Sequence, residues 1–399
     1  MDSLSSKFQL PADWDWQKLE NVCEIISGKN QSKVINPDGI YPIYGSSGIF
    51  GYADEYLCNE GTTVVGRKGT INSPLFVKTK FWNVDTAFGL SAKENYDNKL
   101  LYYFCLSFNF HKLDKSTTIP SLAKRDLLAI DIPLPPKPTQ QAIVSKVEEL
   151  FSELDKGIEN LHTAQQQLKT YRQSVLKWAF EGKLTNENIK AGELPKGWKW
   201  VVLGEVSKVS GGLTKNAKRQ TLKLQLPFLR VANVYFNCLD LEEMHTIGIN
   251  ESEVERVKLA KDDLLFVEGN GSIEQIGRAA LWNGAIDNCV HQNHLIKSRL
   301  SKEVVPKYAL YFFCSKLGRD KIKEQANSTS GLHTLSLGKI SKLQLPLSPI
   351  EEQHNMVQAI ESRLSVADKM EECIIQSLQQ AEALRQSILK KAFEGKLIS

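Results

Sequence analysis

Two long segments of the chain place apolar residues at steps of three and four, which is the spacing of one helix face. The first runs from Gln140 to Ala179 after a proline-rich stretch, with Thr139 as a candidate N-cap and Gly182 as a candidate C′ residue. The second follows Pro349 and stops at Gly395. Each segment predicts a helix of roughly 40 residues, or about 60 Å.

A helix of this length cannot bury its own apolar stripe, so it needs a long partner. We expect the two helices to pair antiparallel as a coiled coil. The alternative is that each helix packs on its own domain.

Shorter runs that are rich in β-branched and aromatic residues predict strands between turn signals, and two aromatic runs predict short helices. In the first half of the chain, the predicted strands are Tyr41–Tyr44, Thr62–Val65, Leu75–Val77 and Leu128–Ile132, and the predicted helix is Leu100–Phe110. In the second half, the predicted strands are Phe228–Val234, Leu264–Val267 and Arg278–Trp282, and the predicted helix is Tyr308–Lys316. The pattern indicates an α+β fold with two mixed α/β domains.

The chain is also an internal repeat. Residues Tyr171–Leu184 return as Leu384–Leu397 with 11 of 14 positions identical, at a separation of 384 − 171 = 213 residues. The opening Leu10–Gly28 returns at Leu194–Gly212, at a separation of 194 − 10 = 184 residues. The second body is therefore longer by 29 residues, the difference between the two separations.

This repeat predicts a pseudo-two-fold tandem of variable bodies and shared tails. The predicted domains are a first body at 1–138, a first spacer helix at 139–184, a second body at 185–348 and a second spacer helix at 349–399.

Composition adds little constraint. The 399 residues carry a net charge of +4, which permits an anionic partner without requiring one. Seven scattered cysteines without a CxxC pair are typical of reduced thiols in a cytoplasm, and no apolar run predicts a signal peptide or a membrane span. We therefore expect a cytoplasmic protein.

Motifs for catalysis are missing from the sequence. Gly61–Lys68 differs from a phosphate-binding loop because its lysine comes one place late and is followed directly by Gly69 and not by Ser or Thr. No methyltransferase-type Asn-Pro-Pro-aromatic motif occurs. His291 and His294 near Cys289 have no second ligand cluster, so a polar loop is favoured over a metal site. We expect no catalytic residue and no metal.

Polar residues in the glycine-rich loops of the two bodies have the side chains that read DNA. Arg and Lys suit guanine and phosphate, Asn and Gln suit adenine, and Ser and Thr suit either. The candidate DNA-binding residues are Ser46, Ser47, Arg67, Lys68, Thr70, Asn72 and Lys78 in the first body, and Lys215, Lys218, Arg219, Arg230, Asn233, Asn270, Ser272, Arg278, Gln292 and Asn293 in the second.

The repeated motifs resemble the specificity subunit of type I restriction–modification systems over nearly the whole chain. They are the Leu-Pro-x-x-Trp-x-Trp openers at Leu10 and Leu194, the Pro-Leu-x-Pro…Gln entries at Pro133 and Pro346, and the Arg-Gln-Ser-x-Leu-Lys-x-Ala-Phe-Glu-Gly-Lys-Leu closers at Arg172 and Arg385.

The resemblance implies two target recognition domains that each read one half of a bipartite, asymmetric site on double-stranded DNA. It implies that the helices form a spacer and dock two modification (methyltransferase) subunits, which bring S-adenosylmethionine, and that restriction subunits (ATP-dependent translocase and nuclease) join with ATP and Mg²⁺. The chain itself would be non-catalytic and would hold no cofactor. The alternative is a stand-alone DNA-binding adapter or regulator without a methyltransferase partner.

Overall fold

The computed structural model describes residues 8–184, 194–329 and 332–398. The chain forms two compact units. Unit 1 combines Met1–Thr163 with Ile374–Ser399, and unit 2 is Ala164–Cys373. Each unit therefore contains one body, the N-terminal part of the helix that follows that body, and the C-terminal part of the other long helix.

Unit 1 is built on a four-stranded sheet, a three-stranded sheet and a two-stranded ribbon. Its strands are β1 (Asp15–Lys18), β2 (Cys23–Ser27), β3 (Tyr41–Gly45), β4 (Gly48–Ala53), β5 (Thr62–Gly66), β6 (Leu75–Val77), β7 (Trp82–Asn83), β8 (Ala87–Ala92) and β9 (Asp131–Leu134). Its helices are α1 (Leu19–Val22), α2 (Asn98–Ser107), α3 (Lys124–Leu128) and the first part of α4 (Lys137–Phe180). The sheet orders are β2-β8-β5-β6, β4-β3-β7 and β1-β9.

Unit 2 repeats this arrangement with additions. Its strands are β10 (Lys199–Val202), β11 (Ser207–Gly211), β12 (Gln225–Leu229), β13 (Val234–Tyr235), β14 (Cys238–Leu239), β15 (His245–Gly248), β16 (Leu264–Val267), β17 (Gly269–Asn270), β18 (Ala279–Leu281), β19 (Val290–His291), β20 (Leu295–Leu300), β21 (Asn327–Thr329), β22 (Leu332–Thr334) and β23 (Gln344–Leu347). Its helices are α5 (Glu251–Val257), α6 (Pro306–Cys314), α7 (Lys316–Gln325), α8 (Leu337–Ser341) and the first part of α9 (Ile350–Phe393).

Each sheet of unit 1 has a counterpart of the same strand order in unit 2, which adds the sheets β13-β14 and β17-β22-β21. The sheets β11-β20-β16-β18, β15-β12-β19 and β10-β23 match the three sheets of unit 1. The register matches as well, since Trp16 lies opposite Pro133 and Trp200 lies opposite Pro346. The hairpin β13–β14 and helix α5 fall in the segments where unit 2 has more residues between matched strands. The extra length of the second body therefore lies between the shared strands.

Most predicted elements are confirmed, but several boundaries are wrong. The predicted helix Leu100–Phe110 ends at Ser107 because Phe108 has an extended backbone, and the predicted helix Tyr308–Lys316 is interrupted at Ser315 for the same reason.

The predicted strand Leu128–Ile132 begins too early. Leu128 is the last residue of helix α3, Ala129 caps this helix with helical backbone angles, and strand β9 begins only at Asp131. The predicted strand Phe228–Val234 ends at Leu229, and a 3-10 turn occupies Val231–Asn233. Thr139 lies inside α4 and cannot be its N-cap.

The two long helices each have 44 residues and end at glycines with left-handed backbone, φ 75° at Gly182 and 72° at Gly395. The N–H of Lys183 donates to the carbonyl oxygen of Trp178 over 2.9 Å, which satisfies a terminal carbonyl group. The predicted C′ role of Gly182 is confirmed.

Within unit 1, the helix segments pack on the body and on each other. Ile143 and Val147 of α4 share a core with Leu389 and Phe393 of α9, together with α2 and β-strand residues of the first body. Arg385 forms an ion pair with Asp155. The core residues of α4 precede Asp155 in the sequence, whereas the core residues of α9 follow Arg385. The two helix segments therefore run antiparallel.

Unit 2 has the reciprocal arrangement. Val175 of α4 shares a core with Met356 and Ile360 of α9. Arg172 pairs with Asp368 (2.6 Å) and Glu371 (2.8 Å). In each unit, the arginine of one repeated closer motif therefore binds the aspartate of the other long helix. Both predicted packing modes of the apolar stripe are therefore observed. The stripe of each long helix packs against a body and also against the other long helix.

Candidate nucleic-acid interface

Three loops of unit 1 meet at the C-terminal end of the central strand β5. A Cβ atom at Gly66 would lie 2.0 Å from the carbonyl oxygen of Thr70 and 2.9 Å from Cβ of Ser46, so only glycine fits there. The N–H of Leu122 donates to the carbonyl oxygen of Arg67, and the N–H of Gly69 donates to that of Pro120, both over 2.9 Å. The strand end therefore groups five of the predicted residues, which we call the first strand-end cluster: Ser46, Ser47, Arg67, Lys68 and Thr70.

Arg67 is held at this place without being buried. Its N–H donates to the carbonyl oxygen of Thr86 over 2.8 Å, and its Nη1 donates to the carbonyl oxygen of Asp85 over 3.3 Å. Its guanidinium lies 5.7 Å from the centre of the Phe88 ring. The side chain is exposed, so it is oriented and open to a ligand.

The loop that closes this cluster is organised by Asp114. Its carboxylate accepts hydrogen bonds from the Ser116 hydroxyl (2.6 Å) and from the backbone N–H groups of Ser116 and Ser121 (3.0 Å each). These bonds, with the Ser116 hydroxyl first, lower the pKa of Asp114 below its usual value. The loop therefore presents Ser116 and the exposed residues Thr117 and Thr118 beside the cluster.

Two predicted residues of the first body lie elsewhere. The Asn72 side-chain oxygen accepts from the N–H of Phe110 over 2.7 Å, which joins two loops. Lys78 follows β6 next to Val77, whose carbonyl oxygen accepts from Gly61 at the start of β5. Lys78 is therefore at the opposite end of the strand from Arg67.

The end of β16 in unit 2 has the same backbone connections. The N–H of Glu268 donates to the carbonyl oxygen of His294 over 2.9 Å, and the N–H of Leu335 donates to the carbonyl oxygen of Glu268 over 2.8 Å. Asn270 lies opposite His333 in the β17–β22 pair. This second strand-end cluster contains Glu268, Asn270, Ser272, Asn293, His294 and His333.

Side-chain hydrogen bonds orient the second cluster. His294 Nδ1 lies 2.8 Å from Oε2 of Glu268, and Asn293 Nδ2 lies 3.4 Å from Nε2 of His294. The Asn270 side-chain oxygen accepts from the N–H of Ser272 over 2.9 Å. The structure thus brings together three of the predicted residues: Asn270, Ser272 and Asn293.

The other predicted side chains of the second body mostly hold its loops in place. Arg219 makes a two-bond contact with Glu253 (2.8 and 3.1 Å), and this hydrogen bonding lowers the pKa of Glu253 to about 2. Arg278 donates to the carbonyl oxygens of Val231 and Val234 over 3.0 and 2.6 Å. The guanidinium groups of Arg219 and Arg278 are therefore engaged within the chain.

The same holds for further predicted residues around the β13–β14 hairpin. Arg230 Nη2 donates to the carbonyl oxygen of Glu243 over 3.2 Å, and buried Asn233 donates to that of Asp240 over 2.9 Å. The Gln292 side-chain oxygen accepts from the N–H of Val231 over 3.2 Å. Lys215 and Lys218 are exposed on the preceding loop.

Residue type alone gives no reason to include Glu268 and His333, and the sequence places His294 in a polar loop without assigning it a DNA contact. Cations, amides and hydroxyls are the commoner base-reading groups, which is why a carboxylate and two imidazoles do not stand out. A usable signal was present, because Arg67 and Glu268 each follow a short apolar run that the sequence predicts as a strand.

A different surface is the same in both units. The exposed residues Ser152, Asp155, Lys156 and Glu159 of α4 return at the repeat separation as Ser365, Asp368, Lys369 and Glu372 of α9. We call these two sets the helix strips. In unit 1 the strip lines an open groove of about 610 Å³ together with Tyr103 and Arg385.

An ion pair beside this groove has a counterpart in unit 2. In unit 1, Lys99 pairs with Glu148 over 2.5 Å. In unit 2, Lys307 pairs with Glu361, whose carboxylate also accepts from the Tyr311 hydroxyl over 3.4 Å. Glu148 and Glu361 are related by the 213-residue repeat.

Among the described residues, no group of three or more His, Cys, Asp and Glu side chains has the arrangement of a metal site, and no helix is long and apolar enough to cross a membrane. His291 is fully buried with Nδ1 2.8 Å from the carbonyl oxygen of Val257. Burial, followed by the nearby Lys297 ammonium, lowers the pKa of His291 to about 4.

Comparison with known proteins places the repeat in a family. The family described as "Type I restriction modification DNA specificity domain" matches twice, at residues 11–163 and 195–380. The type I restriction enzyme EcoKI specificity subunit of Escherichia coli K12 is 31% identical over 270 residues, which is 67% of this chain and 58% of that relative. The chain thus aligns to less than two thirds of this relative.

Solved structures share the fold. A chain from a type I R-M system, studied for its complex assembly and conformational transition, has a TM-score of 0.74 at 18% identity, covering 98% of this chain and all of that one. The HsdS subunit from Thermoanaerobacter tengcongensis has a TM-score of 0.60 at 18% identity, covering 99% of this chain and all of that one. With two matched copies that together span most of its length, the chain belongs to the type I restriction modification DNA specificity domain family.

Proposed function

We propose that this chain is the DNA sequence-recognition subunit of a type I restriction–modification complex and that it reads a bipartite, asymmetric site. Each body reads one half-site through its strand-end cluster. The observation that carries the proposal is one scaffold used twice with different side chains at the same strand end, Arg67 in one body and Glu268 in the other. Two identical readers would instead specify two identical half-sites.

The chemistry of the clusters suits direct readout of base edges. Major-groove edges present both donors and acceptors, so a reader needs exposed groups of both kinds. The first cluster supplies Arg67 and Lys68 with hydroxyl groups from Ser46, Ser47 and Thr70. The second supplies the Asn270 and Asn293 amides, the Ser272 hydroxyl and the Glu268 carboxylate. The exposed Lys215 and Lys218 suit phosphate contacts, which position a protein without reading sequence.

The helix strips are the proposed docking surfaces for two modification subunits. The repeated aspartates of the Ser-x-x-Asp-Lys-x-x-Glu pattern are explained in part by their ion pairs with Arg385 and Arg172. The exposed serine, lysine and glutamate of the pattern lie outside the cores, so their repetition on both helices suggests a shared ligand. Two copies of one partner need the same surface twice. This proposal assigns recognition to the bodies and assembly to the helices.

Chemistry in such a complex would be supplied by the partners. Modification subunits would bring S-adenosylmethionine, and restriction subunits would bring ATP and Mg²⁺. The chain would contribute binding and orientation only. The purified chain should therefore transfer no methyl group and hydrolyse no ATP.

The test is a methylation map. The chain is expressed with the modification subunit of its own host in a strain that lacks other methyltransferases, and modified bases are located by long-read sequencing. Expression of either protein alone is the control. A bipartite motif that requires both proteins supports the proposal. DNA binding by the chain with no methylation and no stable modification partner would favour the adapter alternative.

A further inference from the structure

The residues after β5 and β16 occupy equivalent backbone positions. The N–H of Arg67 donates to Thr86, which lies next to β8, and its carbonyl oxygen accepts from Leu122. Glu268 makes the matching bonds with His294 and Leu335. The flanking strands agree, because Gly66 pairs with Ala87 and Val267 pairs with Leu295. One structural position therefore carries a cation in the first body and an anion in the second.

We infer that this position reads a base in each half-site and that its side chain sets which one: Arg67 selects guanine and Glu268 selects cytosine. The inference rests on the proposed function and extends it to named residues. Guanine presents two acceptors in the major groove, O6 and N7, which match the paired N–H groups of an arginine. Cytosine presents the N4 amino group, which donates to a carboxylate.

The Glu268 side chain of the second body indicates whether this position contacts a base or a phosphate. Arginine binds both, so Arg67 alone leaves the choice open. A carboxylate repels phosphate, which means that a position occupied by Glu268 does not face the DNA backbone. Because the two positions are equivalent in the sheet, the same placement holds for Arg67.

A hydrogen bond within the chain orients each of the two side chains, and further donor or acceptor atoms of each remain available to a ligand. Among the described residues, the Arg67 guanidinium makes one hydrogen bond, through Nη1 to Asp85. In the same part of the chain, the Glu268 carboxylate uses Oε2 on His294, which leaves Oε1 as an acceptor. This partial engagement lowers the cost of ordering the side chain on DNA.

The test measures the base preference of the assembled complex. Complexes of the chain with its modification subunit are incubated with DNA libraries in which each half-site is randomised, and bound sequences are counted. The variants are Arg67→Ala, Arg67→Gln and Glu268→Gln. Lys80→Ala is the matched control, since it removes an exposed cation of the same body that is not a candidate DNA-binding residue and lies toward the far end of β5.

The wild-type complex should require guanine at one position of one half-site and cytosine at one position of the other. Arg67→Ala should relax the guanine preference about tenfold or more, and Arg67→Gln should move it toward adenine. Glu268→Gln should relax only the cytosine preference. Lys80→Ala should leave the motif unchanged.

Two results overturn the inference while the proposed function stands. One is an unchanged motif in the variants. The other is uniform weakening by Arg67→Ala with a shallower salt dependence, which would mark a phosphate contact. A wild-type complex that shows no bipartite preference at all would instead refute the proposed function.

Discussion

The strand-end clusters are exposed or half-buried and the helix strips are exposed, yet these two regions relate the two halves of the chain in opposite ways. At the strand ends, Arg67 corresponds to Glu268, and the neighbouring loops differ in length and composition. On the helices, the two strips are identical at all four positions, Ser152 to Glu159 and Ser365 to Glu372. Core packing does not dictate either pattern, because these side chains lie largely outside the cores. Within the strips, Asp155 and Asp368 are also fixed by their ion pairs with Arg385 and Arg172. Divergence therefore indicates different ligands for the two bodies, and identity indicates a ligand shared by the two helices.

A buried position gives a third kind of comparison. Asn83 and His291 occupy the same place in the parallel strand pairs β3–β7 and β12–β19, and both are fully buried. Asn83 donates to the carbonyl oxygens of Ile26 and Ala87, and His291 bonds that of Val257. Both residues at this position are polar, but only His291 can be protonated. The stability of unit 2 should therefore respond to acid at this position, and that of unit 1 should not.

The largest expected effect concerns the helix strips. Glu159→Lys should prevent docking of one modification subunit and leave the other bound, because Glu372 on the second strip is untouched. Native mass spectrometry of the complex should show one modification subunit instead of two. Glu372→Lys should give the same loss, and the double variant should bind none.

The control for this experiment is Glu153→Lys. Glu153 is an exposed acid on the same helix, and its repeat counterpart is Val366, so it belongs to no shared pattern. It should keep two modification subunits. If both single strip variants also keep two, the strips are not the docking surfaces.

The next effect separates two arginines that look alike in sequence. Arg219→Ala should lower the free energy of unfolding of unit 2 by about 2–3 kcal/mol, because it removes a partly buried, two-bond contact and leaves Glu253 without its main partner. Arg67→Ala should change it by less than about 0.5 kcal/mol, as is usual for an exposed side chain.

Chemical denaturation of the two variants measures this difference, and hydrogen exchange should report the Arg219→Ala loss at 214–222. Equal destabilisation by the two substitutions would mean that Arg67 also has a structural role. The Arg219–Glu253 ion pair contributes stability that is fully present above the usual pKa of glutamate. This contribution is lost as the pH falls through about 2, the pKa of Glu253 in the folded chain.

The smallest effect is the acid response of His291. Its pKa in the folded chain is about 4, below the unfolded value near 6.5, so the unfolded chain binds more protons between these pH values. Stability of unit 2 should therefore fall as the pH drops through this window, by about 1 kcal/mol at pH 5.5. The Lys297 ammonium lowers the pKa of His291, and the Asp263 carboxylate raises it.

His291→Asn installs the residue that unit 1 has at this position. The variant should lose the acid response, while Asn83 in unit 1 has none to lose. Hydrogen exchange at β19 between pH 7 and pH 5.5 would measure it. A wild-type unit 2 that is equally protected at both pH values would contradict the assigned cause.

The helices could be predicted from the sequence because their signal is local. Apolar periodicity and the glycines at 182 and 395 mark a helix without knowledge of its partner, and both helices end within two residues of the expected place. The strand that was predicted at Leu128–Ile132 failed for a related reason, since a short apolar run is compatible with either a helix or a strand.

The candidate site was harder to predict because it depends on contacts between distant residues. Ser46 and Arg67 come together only because Gly66 allows two loops to approach closely. Arg219 and Arg278 have the same chemistry as Arg67 in the sequence, but the fold turns their guanidinium groups onto carboxylate and carbonyl oxygens of the chain itself. Glu268 is marked as a candidate most clearly by backbone hydrogen bonds that match those of Arg67.

The most direct test of the central claim exchanges one body. Leu194–Pro346 is replaced by the equivalent body of another specificity subunit, and the methylated motif is determined with the modification subunit present. The account predicts that one half-site changes to that of the donor, that the other half-site is kept, and that two modification subunits still bind. A change in both half-sites together, or in neither, would contradict it.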